Sequence, residues 1–125
     1  MSIKAIVTFV SGRSQFEGEA AKAVQKAVEK SVLLMELNIK LNTPVITGNL
    51  RRSIASQADG FSGFAYSAAQ AGGEEINYAK YVEYGTAHLA PRAMFRKGVA
   101  QSEERIKSLI SGELRNVKVN IRLKG

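Results

Sequence analysis

One histidine, eleven acidic side chains and no cysteine are what this chain could bring to a reacting atom. His88 falls in an expected loop from Thr86 to Ala90 with no flanking catalytic signature, so it reads as an exposed loop imidazole. Glu74-Glu75 and Glu103-Glu104 are adjacent in sequence. Adjacent carboxylates diverge on a helix or strand instead of converging on one substrate atom, so they read as solvated charges. The lack of cysteine excludes a disulfide framework, a thiolate zinc site and a cysteine nucleophile. No glycine-rich phosphate loop is present, and no His/Asp/Glu spacing resembles a metal site. The expectation is a protein that is not an enzyme, carries no cofactor and works by assembling with other proteins.

The charge is uneven. Of a net charge of +7, most lies between Arg92 and the end, where nine Lys/Arg face three Glu. That asymmetry supports a second reading, a basic nucleic-acid-binding module built on Lys118, Arg122, Lys124 and the last helix. Against it, the basic residues are interleaved with core positions and no known aromatic-basic reader motif is visible.

Any such surface needs a scaffold, and 125 residues suffice for one domain, 1–125, with one hydrophobic core. Nothing approaches the roughly 20 apolar residues of a membrane span, and no long apolar stretch follows Met1-Ser2-Ile3-Lys4. A cytoplasmic protein, at least until it joins something, is expected.

Ile3, Ala5, Val7 and Phe9 share one parity and Lys4, Ile6 and Thr8 the other, which predicts a strand ended by Gly12 and Arg13. Ser14 and Glu17 match a capping box. From about Gln15 to Leu41, Ala20, Val24, Ala27, Val28, Leu34 and Met35 recur at helical spacing, with Lys22, Lys26, Glu29, Glu36 and Lys40 opposite. At 1.5 Å per residue such a helix reaches about 40 Å, so it either bends or breaks near Leu37 to Leu41 or projects beyond its sheet. Asn42-Thr43-Pro44 stops it.

Ile54 to Gln57 and Phe61 to Ala69 read as a hairpin joined at Asp59-Gly60. Gly72 to Glu75 reads as a turn. Tyr78, Tyr81, Val82 and Gly85 suggest one or two helical turns closed by glycine. Pro91 suits the first turn of a second long helix, with Phe95, Val99, Ile106, Leu109, Ile110 and Leu114 as its stripe. Val117, Val119, Ile121 and Leu123, alternating with Lys118, Asn120, Arg122 and Lys124, give a last strand with a basic exposed face. The fold class is α+β, a small antiparallel β-sheet with two long helices packed against it.

Three motifs stand out. The first is Thr43-Pro44-Val45-Ile46-Thr47-Gly48-Asn49-Leu50-Arg51-Arg52-Ser53-Ile54. The second is Tyr78-Ala79-Lys80-Tyr81-Val82-Glu83-Tyr84-Gly85-Thr86, and the third Pro91-Arg92-Ala93-Met94-Phe95-Arg96. Tyr78, Tyr81 and Tyr84 at helical spacing read either as core packing or as a surface facing a partner. Glu83 is expected to be exposed. Arg51 and Arg52 are either solvated, or one of them holds a carboxylate such as Glu83.

In this order the motifs resemble the tail-completion family of long-tailed bacteriophages and prophages, also called tail-component, minor neck or head-tail joining proteins. With the flanking helices the resemblance covers roughly residues 14–115, and the middle motif is its most specific part. The chain departs from the family pattern at Ile46, where an aspartate is usual, and at Ala93 and Lys97, where prolines are common; the latter two relax the helix entry. The resemblance implies a structural virion protein, a homo-oligomer forming a ring, often hexameric, between head connector or adaptor and tail tube. It implies assembly in the host cytoplasm followed by residence in the virion, no membrane partner and passing contact with DNA. The sheet and the loop around Thr86 to Pro91 are expected to meet neighbouring subunits. The candidate interaction surface comprises Arg51, Arg52, Tyr78, Tyr81, Glu83, Tyr84, His88, Arg92, Lys118 and Arg122.

Overall fold

Ile3, Ala5, Val7 and Phe9 are all buried, as period-two patterning dictates, while Lys4, Ile6 and Thr8 on the other parity are partly buried. All but Ile3, which immediately precedes it, belong to β1 (Lys4–Ser11) in a computed structural model that describes residues 3–11, 18–43, 52–67, 70–71, 74–75, 83–85, 87, 91, 93–109 and 117–124. The other elements are α1 (Gly18–Asn42), β2 (Ile54–Asp59), β3 (Ser62–Ser67), β4 (Gln70–Ala71), β5 (Glu74–Glu75), α2 (Met94–Ser108) and β6 (Val117–Lys124).

Four strands form one antiparallel sheet in the order β2-β3-β1-β6. With one helix between β1 and β2 and the other between β3 and β6, this is the split βαβ arrangement. β2 and β3 are the expected hairpin, with Gly60 at φ 62 in its turn. Glu74–Glu75, read as part of a turn-like break, is a short strand that pairs with Gln70–Ala71 in a separate two-stranded sheet.

Both helices pack on one face of the sheet, and the core lies between, built from Val7, Val28, Met35, Ile39, Phe95 and Ile106 among others. α1 is one 25-residue helix, and the break expected as one alternative between Leu37 and Leu41 does not occur. Instead α2 runs antiparallel along its C-terminal part: Asn38 Nδ2 donates to Ser102 Oγ at 2.8 Å, Asn42 Nδ2 to Gln101 Oε1 at 2.9 Å, and Thr43 Oγ1 approaches Met94 Sδ at 3.4 Å. The axes meet at Gly98, where an added Cβ would stand 2.8 Å from Ile39 N and 2.9 Å from Ile39 Cα. Thr43 Oγ1 also donates to Ile39 O at 2.6 Å and ties off the end of α1. Pro91 precedes α2 and does not begin it, since the helix starts at Met94. The Ser14–Glu17 capping box, Ile110 and Leu114 lie outside the described residues.

Candidate functional site

The first turn of α2 has no cap of its own. Its N-cap residue, Ala93, sits in the left-handed region at φ 51, ψ 39, makes no side-chain cap bond, and no acid follows in the first turn. A helix start leaves several N–H groups without intrahelical partners, and these favour a negative charge beside them. Glu83 supplies it from the preceding segment. Its carboxylate accepts from Phe95 N–H at 2.6 Å and from Arg96 N–H at 3.0 Å, while Arg96 Nε donates to the same carboxylate at 2.9 Å. The backbone joins in: Glu83 O accepts from Arg96 Nη2 at 3.1 Å and from Ala93 N–H at 3.2 Å.

Glu83 is therefore 0% exposed, which corrects the expectation of a solvated side chain. Burial of a carboxylate is tolerated because the helix start and a guanidinium satisfy both of its oxygens. Among the described residues, Arg96 is the cation on this carboxylate. Arg96 reaches on to Tyr84, with the guanidinium carbon 5.5 Å from the ring centroid. Tyr84 itself is 46% exposed. Gly85, at φ 78, closes the helical turn of Glu83 and Tyr84, a conformation that side chains with a Cβ resist. The second and third motifs are thus one mechanical unit.

Ala93 is strained in the same unit, since the left-handed region costs a residue with Cβ about 1–2 kcal/mol. The loosened helix entry expected from Ala93 is in fact a bend that proline, locked near φ −65°, would not fit. Ala93→Gly is expected to stabilise the protein by about 0.5 kcal/mol, after subtraction of glycine's extra unfolded-state freedom. Thermal melting should rise by a few degrees, and a fall would contradict this geometry.

Of the other predicted surface residues, Arg52 is exposed in a helical turn before β2. Arg122 is exposed on β6, on the sheet face away from the helices and so apart from Glu83 and Tyr84. Lys118 pairs through its backbone with Val10. Arg51, Tyr78, Tyr81, His88 and Arg92 lie outside the described residues. Among the described residues, no three His, Asp or Glu side chains cluster as metal ligands.

A second feature went unpredicted. Leu33, Leu37 and Leu41 are 58%, 54% and 66% exposed, on the side of α1 turned away from the sheet. Spaced four apart, they form one apolar stripe.

Residues 11–85, more than half of the chain, match the family model described as "Bacteriophage HK97-gp10, putative tail-component". The chain belongs to this family. No curated protein and no solved structure matches it significantly. Membership makes the chain a phage tail component and carries an association with the virion. No described helix is long and apolar enough to cross a membrane. The span that matches the tail-component family includes α1 with its leucine stripe, the β2–β3 hairpin and Glu83, and ends at Gly85. The recipient of the Glu83 cap, α2, lies beyond it.

Proposed function

We propose that this tail component is a neck or tail-completion subunit that assembles with copies of itself as a ring joining the head connector to the tail tube, with the α1 stripe as a principal contact. The observation that supports this reading is the stripe itself. Three leucines in line, each more than half exposed, keep most of their surface outside the core of the fold that carries them. Contiguous exposed apolar surface of this kind marks an interaction site. Tyr84, held against Arg96 yet nearly half exposed, offers an aromatic anchor of the sort that interfaces favour.

Leu37→Glu places a charge in the middle of the stripe without touching the core. It is expected to weaken assembly at least tenfold, about 1.4 kcal/mol, while changing unfolding stability by no more than about 0.5 kcal/mol. Native mass measurement and electron microscopy at high concentration, with and without tail-tube protein, check both halves. A wild-type chain that stays monomeric and binds nothing in either condition contradicts the proposal.

A further inference from the structure

We propose that the open face of the sheet, opposite the helices and independent of the leucine stripe, binds single-stranded nucleic acid. The topology creates this face: α1 and α2 pack on the side carrying Ala5, Val7 and Ala65, so the alternate residues of each strand point the other way. Register then sets those residues side by side. Tyr66 of β3 pairs with Lys4 of β1, which pairs with Lys124 of β6; in the next row outward-facing Phe64 pairs with Ile6, and Ile6 with Arg122.

The Phe64 and Tyr66 rings lie 5.4 Å apart between centroids, and Lys4 Nζ stands 4.7 Å over the Phe64 ring. Arg122 and Lys124 are exposed beside them. None of these three cations is paired with an acid among the described residues, and the acid on this face, Asp59, sits at the hairpin end.

Two aromatic rings two residues apart on an inner strand, flanked by cations on a four-stranded antiparallel sheet, are the parts with which RNA-recognition sheets stack bases and hold phosphates. A second copy of this chain is a poor occupant, since it would bring the same positive charge to the contact. A strand of DNA or RNA alternates planar bases with phosphates and matches both components.

Fluorescence anisotropy of a labelled oligonucleotide of about 15 nucleotides tests this, with oligo-dT and oligo-U as separate arms. A duplex and polyglutamate serve as competitors. The full-length Leu37→Glu chain is measured alongside wild type, so the result does not depend on ring assembly. Single strands are expected to bind at low salt, with affinity falling as salt rises. Tyr66→Ala is expected to weaken binding about tenfold. Arg122→Glu, at an exposed position that leaves the fold intact, should weaken it and flatten the salt dependence by roughly 0.7 in the log–log slope. Absence of binding at low salt overturns the proposal. So does binding in which duplex or polyglutamate competes as well as a single strand and Tyr66→Ala has no effect, because the surface would then recognise charge alone.

Discussion

Replacing Glu83 with alanine is expected to destabilise the protein by about 3 kcal/mol, read as a lowered midpoint in urea unfolding with an unchanged slope. The change removes three bonds accepted by one carboxylate: two from backbone N–H groups at the start of α2 and one from Arg96. Phe95 is fully buried, so its N–H has no route to water once the carboxylate is gone. Arg96→Ala should cost only about 1 kcal/mol, because that side chain is 51% exposed and water replaces its partner. Glu83→Gln should fall between the two, since the amide keeps one acceptor oxygen but turns its NH₂ toward a donor and carries no charge. Amide exchange at Phe95 and Arg96 should speed up before the rest of the helix does. If Glu83→Ala lies within about 0.5 kcal/mol of wild type, this carboxylate does not hold the helix start. Against a typical total of about 5–15 kcal/mol, the expected loss would leave a folded but weakened protein.

Gly98→Ala is expected to destabilise by about 2 kcal/mol or more, the opposite sign from the same change on an exposed helix, where alanine is favoured by up to about 1 kcal/mol. The contacts decide the sign. A Cβ on Gly98 would lie 2.6 Å from Ile39 Cγ1, 2.8 Å from Ile39 N and 2.9 Å from Ile39 Cα. The first could move by a rotamer change, but the other two belong to the backbone of α1, so the helices must separate. Separation would strain the Asn38–Ser102 and Asn42–Gln101 bonds on the same seam. Thermal or urea unfolding measures the loss. A stabilised Gly98→Ala variant would mean that the two helices pass further apart than described.

Much of the scaffold is legible in the sequence because single-period patterns have one reading. The alternation in β1 and β6 and the Asp59-Gly60 turn leave no competing element. The helical stripe of α1 is less decisive. Val24, Val28, Met35 and Ile39 are buried, but Leu33, Leu37 and Leu41 repeat at the same spacing on the exposed side. Periodicity cannot say which of two apolar faces meets the sheet. Glu83 misleads for another reason: its partners are twelve and thirteen residues further along the chain, and carboxylates are usually solvated. A signal existed in the helix start itself, which has neither a Ser/Thr/Asp/Asn at its cap nor an acid in its first turn, with a glutamate just upstream among tyrosines. Gly98 in the middle of a helical stripe was another such mark of close approach. Phe64 and Tyr66 escaped because their meaning comes from β1 and β6, which only the strand order brings alongside.

That strand order also governs when the folded protein can exist. β1 lies between β3 and β6, and its Lys4 pairs with Lys124, nearly the whole length of the described chain away. During synthesis, one edge of β1 stays unpaired until β6 has left the ribosome, and such long-range pairing is slow to form. A polypeptide cut short before Val117 would keep that edge bare, a template for aggregation instead of a usable building block. A chain that lacks β6 is thereby expected to aggregate where one that carries it folds.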